Sequence, residues 1–297
     1  MSTVETRPPA SGAAPATRPR RPNPWKQVTG SAVTAAIVVL CVLTVDANWG
    51  RLPQAPGILG DYVQLMTRGV LQNPMNDPYA EYWSKAFEYM VESLQMAWIG
   101  TLVGAVLSFP AAFLAARNIS PRPVVFVVRQ ILNVIRAVPE LILAIAIMLP
   151  IFGLGPLAGA LALGVGSVGT LGKLGSEAIE AVDPRPIEAV SATGAPRLHV
   201  LAWGVLPQAL PEIVALWLYR FEINIRAGAI LGAVGAGGIG SILTQLFAAR
   251  LWDRIGITLF IIIAVTVLVD QISAWVRHRI IAGGGKDAAA AEAEALA

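Results

Sequence analysis

Charge is scarce in this sequence. Only 14% of its 297 residues are Asp, Glu, Lys or Arg, against 55% hydrophobic, whereas a soluble domain carries about 25% charged residues. Together with a mean hydropathy of +0.63, this excludes an ordinary soluble globular chain and points to an all-α polytopic membrane protein. Cysteine is reduced to Cys41, which lies in an apolar run. A disulfide framework or a cysteine-based metal site within one chain is therefore excluded. Histidine is almost as rare. His199 and His278 are far apart, the second in the basic end Arg277-His278-Arg279; both read as solvated, and no metal site is expected. The net charge of +3 gives no argument for nucleic acid. No nucleophile–base pair stands out, so the chain reads as a non-enzyme. No convincing internal repeat is present, which argues against the repeat-built secondary transporters.

What the chain has is apolar runs between short polar segments. Residues 1–27 are rich in Pro, Ala, Thr and Arg, which predicts a disordered N-terminus. Arg18, Arg20, Arg21 and Lys26 hold it in the cytoplasm by the positive-inside rule. Residues 28–45 read as a first membrane anchor rather than a cleaved signal. Residues 46–92 are polar, with Asp46, Asp61, Asp77, Glu81, Glu88 and Glu92 against Arg51, Arg68 and Lys85. They are expected outside as a loop, with a short surface helix over Tyr79–Met90. The core domain, 93–279, then holds a second span over 93–116 and a third over 124–152, kinked or broken at Pro139. A fourth span covers 156–171, a fifth 212–234 and a sixth 255–276. Basic ends at Arg117, Arg122, Lys173 and Arg277 alternate with them, so about six spans leave both termini inside. A flexible cytoplasmic tail is expected over 280–297.

Two glycine strings invite a nucleotide-binding reading and fail it. Gly164, Gly166 and Gly169 fall inside a span, and Gly235, Gly237, Gly238 and Gly240 follow one without a βαβ unit. The first string reads instead as a surface for close helix approach. Gly172-Lys173 is not a P-loop, because Ser167 and Leu174 occupy positions that need Gly and Ser or Thr. The chain has no ATP site of its own.

The organising segment is Glu177–Pro211, a polar island in an apolar chain. Asp183 suits an N-cap and Pro184 the first helical position. The helix is predicted to run through Glu188 and Ala189 to Thr193 and to end at Gly194 in the left-handed region. A second short helix from Pro196 is predicted to stop at Leu206-Pro207. Glu188-Ala189-Val190, then Gly194, then Gly204-Val205-Leu206-Pro207 resembles the EAA loop of ABC importer permeases, with Val190 and Gly204 departing from its usual Ala and Ile. In that family the loop is a coupling helix that docks into the ATPase subunit. Arg136-Ala137-Val138-Pro139-Glu140 and Leu218 to Arg226, running on to Gly240, are similar to the phosphonate-type permeases; the glycine string is shared with methionine importers. The resemblance covers 93–279. It implies a type I importer permease for phosphonate, phosphate or phosphite, in the cytoplasmic (inner) membrane of a prokaryote. It also implies a second copy of the chain, two ATPase subunits holding ATP and Mg, and an extracytoplasmic binding protein. Alternatives are a permease for another solute such as methionine, or an ATP-independent channel or secondary transporter.

The fifth span carries Arg220, Glu222, Asn224 and Arg226. From Glu212, Arg226 lies about 21 Å along a helix of about 1.5 Å per residue, near mid-membrane. Charges there are paired or functional. Glu222 and Arg226 are predicted to pair at i,i+4, and Arg220 lacks an obvious acid partner on its own helix. These residues, with Arg136, Gly235, Gly237 and Gly238, are the candidate translocation path; the alternative is that the charges lock helices together.

Overall fold

The computed structural model describes residues 24–72, 77 and 79–295. The disorder expected for 1–27 falls mostly outside them. Among the described residues the secondary structure is helical throughout. The chain divides into a unit ending at Pro56 and a second one from Gly57. In the first, α1 (Pro24–Thr44) carries Val33, Ile37, Val38 and Leu40 at its surface, as a lipid-facing helix does. A 3-10 turn, Trp49–Gln54, follows it.

Helix α2 (Ala55–Thr67) opens the way into the second unit and ends in a π-helical turn at Arg68–Gln72. The 46–92 segment is thus largely helical where described, and the expected surface helix at Tyr79–Met90 is no separate element. It is the first third of α3 (Tyr79–Ala115), a helix of 37 residues. Its inner side chains, Ala86, Met90 and Ala97, are buried with Ile225 and Ile255, so burial carries the helix on beyond the polar stretch.

The expected third span is broken. Helix α4 (Arg122–Ala137) ends at Val138-Pro139, and α5 (Glu140–Leu143), a π turn (Ala144–Met148) and α6 (Leu149–Phe152) leave it at 86°. Val138 is extended, as a residue before proline is biased to be. The fourth span, α7 (Pro156–Glu180), runs about two turns further than expected and reaches the polar island as one helix.

After α8 (Pro184–Ala192) and α9 (Arg197–Val200), a π turn at Leu201–Val205 feeds directly into α10 (Leu206–Leu231). The stop expected at Leu206-Pro207 does not occur. Pro207 lies at the start of α10, where its missing N–H removes no hydrogen bond. The helix is interrupted at Val234 and Gly235, the latter with φ +95°. Helix α11 (Ile239–Ala248) follows, then α12 (Trp252–Ala295). The last helix continues through Gly283–Gly285, where a flexible tail was expected. Among the described residues four helices are long and apolar enough to cross a membrane, and six if each bent pair counts once.

The glycine string of the fourth span explains the packing around α7. Gly164 turns to α3, where a Cβ would come within 2.9 Å of Val103. Gly166 and Gly169 turn the other way. A Cβ on Gly169 would lie 2.8 Å from the Leu132 carbonyl, and one on Gly166 would lie 2.7 Å from Cγ of Glu140. Gly172 faces the Leu132 side chain instead, whose Cδ2 would lie 2.8 Å from a Cβ there. Backbones at this separation gain dispersion contacts, the chief source of helix association in lipid.

Candidate functional site

Helix α8 stands at one end of the bundle with Glu188 and Ala189 exposed. Asp183 caps it: its carboxylate accepts the Arg185 backbone N–H at 2.9 Å and the Arg185 guanidinium at 2.7 Å. The Arg185 side-chain and backbone hydrogen bonds hold the Asp183 carboxyl below its ordinary pKa. Gly194 ends the turn after α8 with φ +74° and open space beside it, so conformation rather than crowding selects glycine there. Crowding operates at Gly204. A Cβ there would sit 3.2 Å from Cα of Ile187, which accounts for glycine where the resembling motif has isoleucine. The inner face of α8 is pinned by Ile187, packed on the buried cluster of Val205, Ala209, Ile213 and Ile179.

Two residues that sequence reasoning passed over tie this loop to the spans. Gln208, one residue beyond Pro207, donates to the Gly204 carbonyl at 2.6 Å and accepts the Asp183 N–H at 3.1 Å. Glu180, at the end of α7, accepts the Arg117 backbone N–H at 2.5 Å and pairs with Arg129 of α4 at 2.7 Å. Neither belongs to a recognisable motif; only three-dimensional proximity reveals their partners. A cleft of about 1020 Å³ opens between this loop and the α3–α4 connection, lined by Arg117, Glu180, Ile187, Glu188, Arg197 and others.

Deeper in the bundle, the polar residues of α10 part into two groups. Arg220 and Asn224 face inward. Arg220 donates to Ser167 Oγ at 2.8 Å and forms an ion pair with Glu140. Asn224 donates to Thr101 Oγ1 at 2.9 Å and to Ser167 Oγ at 3.2 Å. The acid that Arg220 lacks one turn away on α10 is thus supplied by α5, immediately beyond the break at Pro139.

Glu222 and Arg226 face α12, and the predicted pair between them does not form. Glu222 binds Arg277 at 2.6 Å, and Arg226 reaches Asp270 at 3.5 Å. Arg226 keeps only a 3.4 Å contact to the Glu222 backbone carbonyl. Two charges one turn apart on α10 are each drawn to an opposite charge on the packed neighbour, where a residue faces them directly.

Arg136 is exposed at the end of α4, beside Gly169. The glycines after α10 sit away from these charges. Gly235 accepts the Gly155 N–H at 3.0 Å. Gly237 has φ +80° beside Glu92 and Pro156, and Gly238 has φ +68° against Ser93, whose hydroxyl accepts the Ile239 N–H at 2.8 Å. Among the described residues no group of His, Cys, Asp and Glu has the arrangement of a metal site.

Residues 86–282 match the family described as binding-protein-dependent transport system inner membrane component. The chain belongs to this family. It is therefore an integral membrane permease, a transport subunit without catalysis of its own. It is 37% identical over 254 residues to the phosphite transport system permease protein PtxC of Stutzerimonas stutzeri, covering 85% of this permease and 89% of that one. It is 40% identical over 196 residues to the phosphate-import permease protein PhnE of Mycolicibacterium smegmatis. That match covers 66% of this permease and only 37% of the mycobacterial protein. Among solved structures, an inward-facing MetNI methionine ABC transporter matches with a TM-score of 0.62 over 69% of this permease and 99% of that chain. At 22% identity, that likeness establishes the type I importer permease fold alone.

Proposed function

We propose that this permease is the membrane subunit of an ATP-driven importer for a phosphorus oxyanion, of the class that includes phosphonate, phosphate and phosphite. The observation that carries the reading is the match over nearly the whole length of a phosphite permease, 37% identical across 85% of this chain. The cargoes share tetrahedral anionic oxygens, which suit a bundle whose scarce charges include several arginines. Two copies of the chain form the path. Two ATPase subunits hold ATP and Mg, and an extracytoplasmic binding protein delivers the anion. Both termini lie in the cytoplasm of a prokaryote, beside the ATPase subunits.

In this reading α8 is the coupling helix. Its exposed face, with Glu188 and Ala189, meets the ATPase. Its buried face transmits displacement along two routes. One is the π turn and Gln208 into α10; the other is Glu180 and Arg129 into α4. The hydrogen bonds of Gln208 to Asp183 and of Glu180 to Arg117 hold the N-terminal side of α8 to the spans, so that it moves with them.

The test is reconstitution of the permease with its cognate ATPase and binding protein in proteoliposomes. ATP-dependent accumulation of labelled phosphate, phosphite or methylphosphonate is expected, and mass measurement should find two permease copies per complex. Uptake of methionine with none of the three anions would refute the cargo, and a single copy would refute the homodimer.

A further inference from the structure

The charges that the sequence reading placed on α10 are paired. Among the described residues, Arg122 of α4, Lys173 of α7 and Arg117 between α3 and α4 form no ion pair. At the α8 end of the bundle, a cavity of about 720 Å³ is lined by Arg117, Arg122, Arg129, Gln130, Asn133 and Lys173, with Val125 and Phe126 as its apolar wall. Arg122, Arg129, Asn133 and Arg136 are spaced seven, four and three residues apart on α4. That spacing puts them in one stripe. The stripe leads from the cavity towards the break at Pro139 and the Glu140–Arg220 pair. Lys173 faces it from α7 and is the first charged residue of that helix.

The charge balance of the cavity is lopsided. Glu180 neutralises Arg129 at 2.7 Å. Among the described residues, no carboxylate lies within ion-pair distance of the side chains of Arg117, Arg122 or Lys173. Glu177 is one turn beyond Lys173 and forms no ion pair with it. Three unneutralised cations and two side-chain amides around one opening make an anion-attracting surface. The donor set is also informative. Arginine forks and amide N–H groups match the tetrahedral oxygens of a phosphorus oxyanion, and lysine adds a point charge that turns with its ligand. The volume exceeds what one such anion fills. A wide site with charges spread along a stripe attracts the ion yet lets it go, which is the requirement of a passage rather than a store.

Resting on the oxyanion reading above, we propose that this cavity, centred on Lys173 and Arg122, is the release vestibule of the path, where a tetrahedral phosphorus oxyanion is held before it leaves. Phospholipid headgroups share this chemistry, so the experiment separates the two sources. The complete importer is placed in nanodiscs of neutral phosphatidylcholine, and lysine acetylation is followed by mass spectrometry. Inorganic phosphate, against chloride at equal ionic strength, should slow modification of Lys173 severalfold and leave exposed Lys85 unaffected. Equal rates at Lys173 with and without phosphate would overturn the vestibule. So would protection that appears only on adding anionic phosphatidylglycerol, which would make the cavity a lipid site.

In proteoliposomes, Lys173→Gln with Arg122→Gln should lower phosphate uptake roughly tenfold with the complex intact, and Lys173→Arg should preserve it. Undiminished uptake by the double variant would overturn the proposal. Phosphate import by a wild-type importer whose Lys173 is not protected would overturn the vestibule and leave the proposed function standing, whereas protection without import of any phosphorus oxyanion would refute both.

Discussion

Arg220 illustrates how a side chain's role changes once its neighbours are known. On α10 no acid stands one turn from it, and its charge reads as available to cargo. In the folded chain Glu140 and Ser167 hold it, and Asn224 shares that serine. A guanidinium engaged this way is a lock between α10, α7 and the broken third span. Removing one partner leaves the other charge buried, which costs on the order of 3 kcal/mol. Glu140→Ala should therefore lower the melting temperature of the purified complex, and Glu140→Gln less so, because the amide oxygen still accepts a hydrogen bond. Replacing both Glu140 and Arg220 by Met should recover most of the loss. If that double variant also transports at the wild-type rate, Arg220 acts as a lock; strong loss of uptake in a stable complex would assign it to the path instead. None of these partners was legible in the sequence. Glu140 lies 80 residues from Arg220, and Arg277 lies 55 from Glu222; no local pattern chooses between such distant helices.

At the scale of elements, the α8 loop, proposed above to couple to the ATPase, was the most legible part of the chain. Its N-cap, its proline at the first position and its glycine stop are local chemistry, and each is found where the spacing puts it. Legibility failed at Leu206-Pro207, because proline breaks a helix interior but is compatible with a helix start, and the π turn before it supplies such a start. Two expectations follow for the loop. Gly194→Val forces a β-branched side chain to φ +74°; ATPase docking and uptake should fall severalfold while membrane insertion persists, and pull-down of the ATPase subunit measures the first. The Asp183 cap has a pH signature. Its folded pKa is depressed, so its contribution is fully present above the ordinary carboxylate value of about 3.9 and is lost as pH falls through the lower folded value. Pepsin cleavage within α8 should thus rise below about pH 4 in the wild-type chain. Asp183→Asn, which keeps the acceptor and cannot titrate, should show no such step.

For the whole molecule, the order of the apolar helices followed from hydropathy; among the described residues four are long enough to cross a membrane, and the expected six are reached only if each bent pair counts as one span. How the spans touch did not follow, because lipid tails and leucine side chains are equally apolar, and small residues with distant polar pairs decide the contacts. The three glycines that α7 turns towards α4 and α5 carry a mechanical consequence. At Gly169 the helices meet through the α4 backbone, and at Gly166 and Gly172 the α7 backbone packs directly on the Glu140 and Leu132 side chains. The missing Cβ atoms bring the elements close and leave little room for sliding. The α4–α7 pair is a stiff lever, so alternating access must come from hinges elsewhere, at the Pro139 break or the Gly235 interruption. Spin labels at Asn133 and Thr170 should keep a constant separation between ATP-bound and nucleotide-free importer, while labels spanning Asn133 and Leu149 across the break should change theirs.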